Sequence, residues 1–458
     1  MHRRAFLGLA AAAGVGAVAG LPAPAGAVQA PARRIPRPTA SLVTRWDTDP
    51  WALGSYSALP TGTSPRAREV LAEAVIGGRI VLAGEYASPD FPATTQGAYL
   101  SGQEAARLLL DEASPRTAIV VGAGLAGASA ASLLRAQGVS VTVVEARDRI
   151  GGRISSDDRW GVPVELGAAW IHGVTGNPVT ALARADGLRL VPSDYDNSVV
   201  RDSMTGRVSA AAEQRAEQLD GLMARMGQTA APLSQSAASW LAARGWRNDR
   251  LGAWASASSI TQEYGLDPSR LGARALSEGE DYPGGDAFVG GGYSKVPRAL
   301  LDGIEVRLST SVQSIAANGT GVRVTTASGV VLQADGVVVA VPLAVLRSGR
   351  PSIAGVPAAV STAAQSLATG NLEKVVLRYS EQWWGTQRVY GLVGGGVPGA
   401  RAGTPAALRW TEFYSLTDLL GFPALVGFSG GAAARLRPAS DAACTAEAVA
   451  MLDAAFAH

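Results

Sequence analysis

A glycine-rich turn between two apolar strands constrains the fold of this chain more than any other feature. Residues 117–121 form a short buried-strand pattern that runs into Gly122-Ala-Gly124-Leu-Ala-Gly127, and the next apolar run stops at Glu145. In such a strand–turn–helix–strand unit the first glycine allows the tight turn, the second lets a pyrophosphate approach, and the third lets helix and strand pack closely. Glu145 lies 145 − 122 = 23 residues after Gly122, about where an acid binds ribose hydroxyls. The pattern predicts an α/β fold with a Rossmann-like dinucleotide-binding domain whose helix N-terminus receives phosphate.

The scarcity of cysteine and histidine excludes most metal-dependent and hydrolytic chemistries. The chain has one cysteine, Cys444, and three histidines, of which only His172 lies away from the ends. One thiol excludes an intramolecular disulfide and a thiolate cluster. A His-rich metal site or a Ser-His-Asp triad could use only His172. We therefore expect no metal site.

The N-terminus has the pattern of an export signal. Arg3 and Arg4 precede an apolar run to Leu21, and residues 25–27 form a small-residue cleavage pattern. Paired arginines are typical of the twin-arginine route, which carries folded proteins, and the run is shorter than the roughly 20 residues that a membrane span needs. The sequence predicts a signal peptide over residues 1–27, a secreted, extracytoplasmic protein and no stable membrane anchor. Cleavage takes the formal charge from 40 − 38 = +2 to 38 − 38 = 0, which leaves a nucleic-acid partner no electrostatic basis.

The segment that begins at Glu145 favours FAD over NAD. Residues 145–153 place an acid before a basic, double-glycine turn, in which Arg147, Gly152 and Arg153 would serve a second phosphate. At this point the chain resembles the flavin amine oxidase family, whose signature includes an Arg-x-Gly-Gly-Arg turn. Residues 165–173 are similar to the next motif of that family, in the histidine version that resembles its polyamine oxidase branch.

The resemblance extends along most of the chain and implies which residues bind FAD. Val312 lies on a stretch similar to the strand whose backbone meets the adenine, and Glu85 looks like a contact to the ribityl or phosphate region. Ser55 stands where monoamine oxidases carry the cysteine that binds flavin covalently, so we expect non-covalent FAD. The implied cofactor-binding residues are Gly122, Gly124, Gly127, Glu145, Arg147, Gly152, Arg153, Gly167, Ala168, Trp170, Val312, Gly84, Glu85, Thr94 and Thr95.

The same resemblance implies four catalytic residues. Lys374 looks like the residue that holds a water against flavin N5, and His172 like the residue that meets the substrate amine and could accept a hydrogen bond from a second amine. Tyr56 looks like one wall of an aromatic cage over the flavin. Thr94 occupies the opposite wall, where monoamine oxidases carry a second tyrosine, and at this position the chain more closely resembles polyamine oxidases and histone-lysine demethylases. Further candidate walls, either of which could instead belong to the core, are Trp46 and Trp384.

The motifs stand in a different order from that of the family. Residues 45–110 resemble the C-terminal end of family members, but here they precede the glycine-rich turn, and residues 446–458 resemble the helix that normally leads into the Arg-Trp strand. The simplest interpretation is a circular permutation, in which residues 111–116 join the last helix to the first strand and new ends open at a surface loop. The alternative is a rearranged or chimeric gene whose N-terminal piece pairs with another chain.

Length and motif order together predict the domain organisation. A chain of 458 residues is long enough for two or three domains, and we expect a Rossmann-like FAD domain plus a substrate domain of mixed sheet and helices. The expected segments are a signal peptide (1–27), a linker (28–41), a permuted C-terminal part of the FAD domain (42–113), its glycine-rich part (117–178), a helical substrate part (179–288), the return of the FAD domain (289–345) and the substrate domain (346–458).

The implied reaction is that of an FAD-dependent amine oxidase acting on polyamine-type amines. A hydride passes to the flavin, the imine hydrolyses, and oxygen takes up the electrons as hydrogen peroxide; the partners are therefore a small-molecule amine and O2. The alternatives are a monoamine or L-amino-acid oxidase, the latter needing an arginine to clamp the carboxylate, and an inactive flavin-binding protein. Glu278, Glu280 and Asp281 form an acidic cluster that would either attract a polycation or belong to a solvated loop.

Overall fold

The structure is a computed structural model that describes residues 34–394 and 405–456, so the predicted signal peptide lies outside the described residues. The strands, in chain order, are β1 Ala40–Val43, β2 Tyr56–Ala58, β3 Val75–Ile76, β4 Ile80–Leu82, β5 Thr117–Val121, β6 Ser140–Val144, β7 Ser156–Asp157, β8 Val164–Glu165, β9 Trp170–Ile171, β10 Arg189–Pro192, β11 Ser198–Asp202, β12 Arg207–Val208, β13 Ala287–Gly290, β14 Glu305–Arg307, β15 Val312–Ala317, β16 Val322–Thr326, β17 Val331–Ala334, β18 Gly336–Val339, β19 Ser352–Ile353, β20 Ala368–Gly370, β21 Leu372–Arg378, β22 Val389–Val393, β23 Glu412–Ser415 and β24 Ala424–Gly430. The α-helices are α1 Arg66–Ala72, α2 Thr95–Ala113, α3 Leu125–Ala136, α4 Pro178–Ala185, α5 Ala210–Gly227, α6 Ala237–Ala242, α7 Arg250–Ser256, α8 Gln262–Tyr264, α9 Lys295–Leu300, α10 Leu343–Arg347, α11 Ala358–Ser366, α12 Thr417–Leu420, α13 Gly431–Arg435 and α14 Asp441–Phe456. None of the helices in these ranges is both long and apolar enough to cross a membrane.

A six-stranded sheet with the order β14-β6-β5-β18-β4-β3 forms the Rossmann-like part. All neighbouring strands run parallel except β3, which is antiparallel to β4. Strand β18 is buried along its whole length, and β5 is buried from its second residue onward, because helices α2 and α3 cover the sheet with alanine and leucine side chains. The sheet confirms the α/β class that the glycine-rich unit predicted.

A second, mixed sheet carries the other half of the molecule. Its order is β1-β21-β24-β23-β22-β11-β12, antiparallel except for the parallel pair of β11 and β22. Strands β22 to β24 are completely buried, and α14 packs against the sheet through Cys444, Ala448 and Leu452. This sheet, with the helices of residues 210–264, agrees with the predicted mixed substrate-domain architecture.

The chain before the glycine-rich turn contributes to both large sheets. Strand β1 pairs with β21 in the mixed sheet, whereas β4 adds in parallel to β18 in the Rossmann-like sheet. Between them, β2 pairs with β20. The N-terminal segment therefore runs along the junction of the two halves, where the candidate site lies.

A long interrupted helix borders the same junction. Helix α7, a π-helical turn over Ala257–Thr261 and α8 follow one another without a break. A π-turn widens the helix and shifts the side chains that follow it, here Gln262 and Glu263, which both line the cavity described next.

Candidate functional site

One cavity connects the carboxyl ends of the parallel strands with the face of the mixed sheet. Its empty space, counted out to the solvent at its mouth, is about 1810 Å³. The residues that directly follow β5, β6 and β18, and Gly84 two positions after β4, all border it, as expected for a ligand site of an open parallel sheet. Of the predicted site residues, those that line this cavity are Tyr56, Gly84, Glu85, Thr94, Thr95, Gly122, Gly124, Glu145, Arg147, Gly152, Arg153, Gly167, Ala168, Trp170, His172, Val312 and Lys374.

The glycine-rich turn has the shape that a diphosphate requires. Gly122 adopts a φ of +108°, in the region that favours glycine. A Cβ at Gly127 would lie 1.9 Å from the carbonyl oxygen of Gly122, so Gly127 serves the close packing of α3 and lies behind the cavity lining. A Cβ at Gly124 would meet no atom within 4 Å, because the turn faces open space. The N-terminus of α3 therefore presents its backbone to a space wide enough for a phosphate.

Two side chains after β6 are held in place by hydrogen bonds. The carboxylate of Glu145 accepts from the backbone N–H groups of Ala123 (2.7 Å) and Arg147 (2.9 Å). The guanidinium of Arg147 forms two bonds of 2.7 Å with Asp49. Asp49 belongs to the N-terminal segment, so that segment fixes an arginine at the cofactor end of the cavity.

Arg153 and Glu85 form an ion pair deeper in the cavity. Arg153 Nη1 donates to Glu85 Oε1 (2.8 Å) and to the carbonyl of Ser55 (3.0 Å). Burial alone would raise the pKa of Glu85, but the charge of Arg153 and the Ser57 hydrogen bond hold that pKa below its usual range. Glu85 is therefore ionised beside the region where the resemblance implies a ribityl or phosphate contact.

Lys374 lies on β21 and is buried at the far end of the cavity. Its Nζ donates to the backbone carbonyls of Glu165 (3.0 Å) and Gly167, and lies 5.7 Å from the ring centre of Trp170. Burial lowers the pKa of Lys374 to about 8, although the charge of Glu165 acts in the opposite direction. A lysine in this state exchanges a proton near neutral pH.

Aromatic and small side chains complete this end. Tyr56 donates its hydroxyl hydrogen to the carbonyl of Gln262 (2.6 Å), and Trp46 also lines the cavity. Thr94 is the N-cap of α2, where its Oγ1 accepts from Gly97 N (3.0 Å). Trp384 is buried in the core against Tyr379 and Trp383, and does not contribute to the cavity lining.

The structure adds Asp286, a residue that sequence reasoning missed. Its carboxylate lies 2.8 Å from His172 Nδ1 and accepts from Gly173 N (3.0 Å). Asp286 lies just before β13, which pairs antiparallel with β9, and Ala287 is opposite Ile171. The acid is 114 residues from His172, so only the strand register, which no local pattern reveals, could have indicated it.

The acidic cluster at residues 278–281 has a different organisation from either expectation. Glu278 forms a buried ion pair with Arg68 (2.6 Å), with side-chain exposures of 7% and 1%. Glu280 and Asp281 are exposed. Glu278 is therefore engaged within the protein, and the three acids do not form one solvated patch.

These features fit a flavin dinucleotide. An open-faced glycine turn, an acid after β6, and an arginine–glutamate pair line one continuous space that ends at a buried lysine and aromatic rings. The residues that would hold the dinucleotide are those of the glycine-rich turn, Glu145 and Arg153. The chamber beyond them would receive the flavin ring and a substrate.

Comparison with known proteins decides the family. The model of the family described as flavin containing amine oxidoreductase matches residues 25–110 and 125–457. The chain belongs to this family. It is therefore a flavin-dependent amine oxidoreductase, and FAD is the flavin of the family. A second model, pyridine nucleotide-disulphide oxidoreductase, matches residues 75–165, which include the glycine-rich turn.

Individual relatives and solved structures agree with this assignment. The chain is 29% identical over 354 residues to polyamine oxidase 4 of Oryza sativa subsp. japonica, an alignment that covers 70% of this chain and 68% of that protein. It is 29% identical to polyamine oxidase 2 of Arabidopsis thaliana, covering 69% and 67%, and 26% identical to lysine-specific histone demethylase 2 of Homo sapiens, covering 59% and 35%. The structure of a putrescine oxidase bound to putrescine superimposes with a TM-score of 0.57 at 21% identity, covering 75% of this chain and 81% of that chain, which shows a shared fold.

Proposed function

We propose that this protein is an exported oxidase of polyamine-type amines with non-covalent FAD. The observation that carries the proposal is the chamber around Lys374, in which a buried amine of lowered pKa, the Trp170 ring and His172 share one cavity with the glycine-rich turn. When bound, the flavin would accept a hydride from the carbon next to the amine nitrogen and pass the electrons to O2 as hydrogen peroxide.

The residues of the chamber prepare the amine for oxidation. Apolar walls disfavour the ammonium form, because desolvation penalises a charge, and the reacting nitrogen must carry a free electron pair. Lys374, with a pKa of about 8, would hold a water molecule and take up or release its proton. Tyr56 and Trp170 would restrict the position of the substrate, since Tyr56 is held by its hydrogen bond to Gln262 and Trp170 by its contact with the Phe288 ring.

Two polar side chains favour a substrate with more than one nitrogen. His172 and Glu263 both line the cavity beyond the glycine-rich turn, and each could receive a cationic group. The relatives named polyamine oxidase and the likeness to a putrescine oxidase support the same class. Three arginines line the cavity: Arg147 and Arg153 pair with acids, and Arg350 is exposed on the protein surface. This arrangement disfavours an L-amino-acid substrate, whose carboxylate would need an arginine to bind it.

Anaerobic flavin reduction tests the substrate class. The purified yellow protein is mixed without oxygen with spermine, spermidine, an acetylated polyamine, benzylamine and an L-amino acid, and the flavin absorbance is followed. Bleaching by a polyamine, with colour and hydrogen peroxide returning on admission of air, is the expected result. Bleaching only by benzylamine or the amino acid would move the assignment to a monoamine or amino-acid oxidase, and a protein that no amine bleaches would be a flavin-binding protein without this activity.

The non-covalent attachment has a separate test. Ser55 occupies the candidate attachment position, and its Oγ is engaged with the backbone of Leu372, from whose N–H it accepts (2.8 Å) and to whose carbonyl it donates (2.9 Å). Denaturation should therefore release all flavin into the filtrate. Flavin that stays with the denatured chain would contradict the proposal.

Export by the twin-arginine route is proposed from the N-terminal pattern alone. Replacement of both Arg3 and Arg4 by Lys should retain the protein in the cytoplasm with its flavin bound, because the flavin-binding residues are untouched. The readout is flavin and protein in the culture medium against those in the cells. Equal secretion of the variant and the native chain would reject this route.

A further inference from the structure

The pairing of β9 with β13 builds a histidine–aspartate pair into the wall of the substrate chamber. Because Phe288 lies opposite Trp170 and Ala287 opposite Ile171, the next positions along the two chains bring Asp286 beside His172. The Nδ1–carboxylate distance is 2.8 Å. His172 is partly exposed to the cavity, whereas Asp286 is more deeply buried behind it, with side-chain exposures of 24% and 10%.

Three hydrogen-bond donors converge on the Asp286 carboxylate. Gly173 N donates to Oδ1 (3.0 Å), and Tyr195 Oη donates to Oδ2 (3.1 Å), the oxygen that also faces His172 Nδ1. Burial alone would raise the pKa of Asp286, but the hydrogen bond and charge of His172, followed by the Gly173 and Tyr195 hydrogen bonds, lower it below the usual value. The carboxylate is therefore ionised and can only accept hydrogen bonds.

An acceptor-only partner determines the tautomer of the imidazole. Nδ1 must carry the proton that lies between it and Asp286, and in the neutral ring the other nitrogen, Nε2, is then an acceptor. Nε2 lies on the opposite edge of the ring from Nδ1, away from Asp286. His172 therefore offers a lone pair to a ligand donor, backed by a negative charge on the other side of the ring.

We propose that Asp286 is a positioning residue, which orients His172 so that Nε2 accepts a hydrogen bond from the second, cationic nitrogen of a diamine or polyamine. The inference rests on the proposed function for the identity of the ligand. The imidazole separates the ligand from the carboxylate, so the cation is attracted through the ring and does not form a direct ion pair that would hold it tightly. The pair thus distinguishes a diamine from a monoamine of the same length.

A matched pair of amines and an Asp286→Asn variant test this role. Butane-1,4-diamine and butylamine differ only in the second nitrogen, and their half-saturating concentrations for anaerobic flavin reduction are measured on the holoenzyme. The native protein should prefer the diamine. Asp286→Asn should raise the half-saturating concentration of the diamine by roughly 10–100-fold, the range for loss of a charge-assisted hydrogen bond, and should change the value for butylamine much less, because the monoamine has no second nitrogen to meet Nε2.

The tautomer itself can be read by NMR, because the chain has only three histidines. In 15N-histidine-labelled holoenzyme, with His172→Asn as the assignment control, we expect a protonated Nδ1 and a non-protonated Nε2 whose signal shifts on addition of butane-1,4-diamine. Asp286→Asn should populate the Nε2–H tautomer. A native His172 protonated at Nε2, or an unchanged diamine preference in Asp286→Asn, would overturn the inference.

Two control variants separate positioning from folding. Tyr195→Phe removes one donor to Asp286 and keeps its charge, so it should retain most of the diamine preference. Asp267→Asn changes another partly buried aspartate, one that accepts from Ala432 N and lies outside the cavity lining, and should leave the preference intact. If no amine reduces the flavin yet the diamine still shifts the Nε2 signal, the proposed function fails and the His172–Asp286 role stands. If a polyamine reduces the flavin but Asp286→Asn keeps the native diamine preference, the proposed function stands and the role of Asp286 fails.

Discussion

At the scale of single residues, Lys374 shows how a buried amine is kept without an ion pair to any acid within residues 34–394 and 405–456. Its Nζ donates to the carbonyl oxygens of Glu165 and Gly167, and the Trp170 and Phe428 rings lie 5.7 and 5.8 Å from Nζ. Carbonyl dipoles and rings offset only part of the lost hydration of an ammonium group. The protein therefore retains a charge that destabilises its fold, which is typical of a residue with a chemical role.

The buried amine makes stability depend on alkaline pH, and Lys374→Met isolates that dependence. Burial lowers the pKa of Lys374 to about 8 from its ordinary value of 10.5, so between these pH values the unfolded chain binds more protons and the free energy of unfolding rises with pH. Relative to Lys374→Met, the native protein should gain about 3 kcal/mol from pH 8 to pH 10.5. Urea unfolding of both proteins across this range measures the difference. A difference that stays constant with pH would mean that Lys374 is not desolvated.

At the scale of elements, a chain of charged and polar groups links the cavity to α1. Arg153 pairs with Glu85, Ser57 Oγ donates to Glu85 and accepts from Arg68 Nη1 (2.6 Å), and Arg68 pairs with Glu278. The groups belong to β2, α1 and the loops after β4, β6 and α8. Such a network fixes the relative positions of these elements, because each buried charge needs its partner.

Removal of one partner from this network should be costly. Arg68→Met leaves Glu278 buried without its counter-ion, and we expect a loss of about 3–5 kcal/mol in the free energy of unfolding. Arg107→Met is the matched control, since Arg107 forms an exposed pair with Glu104 on α2, and its loss should stay below about 0.5 kcal/mol. Urea unfolding compares both with the native protein. Equal losses for the two variants would show that the Arg68–Glu278 pair is not buried in solution.

Whether a feature could be predicted from the sequence depends on how far apart along the chain its residues lie. The turn from Gly122 to Gly127 was predictable because its function depends on neighbours along the chain. The site roles of Glu85 and Lys374 came from the family resemblance, and the structure brings both residues to the one cavity. The Glu278–Arg68 and His172–Asp286 pairs could not be predicted, because each joins residues from separate elements, 210 and 114 positions apart, through packing that local patterns do not encode.

At the scale of the whole molecule, the segment before the glycine-rich turn lies against the C-terminal helix. Ile35 N donates to Asp453 (2.9 Å), and Arg45 pairs with Asp441 (2.8 Å) on α14. Arg437 joins the same regions through its bond of 2.6 Å to Asp47. The first and the last described segments of the chain are therefore in contact. The alignments with relatives cover only about 70% of this chain. Both observations favour circular permutation. An alignment keeps the residues of both chains in order, so it must leave out a segment that stands at the opposite end of the relative.

The proposed permutation can be tested by a chain in which it is reversed. A chain that starts at residue 115, runs to residue 456, continues through a short glycine-serine linker to residue 34 and ends at residue 114 would restore the motif order of the family. The cut lies between α2 and β5, where Ser114 has a left-handed backbone, and every strand pair is kept. We expect flavin binding and amine-dependent bleaching equal to those of the native order, because contacts in the folded state do not depend on which loop is open.

A control with the same linker but new ends between Val375 and Val376 interrupts the buried strand β21 and should neither fold nor bind flavin. If the family-order chain fails as the control does, the native order is required for folding, and the N-terminal segment is more than a relocated C-terminal end.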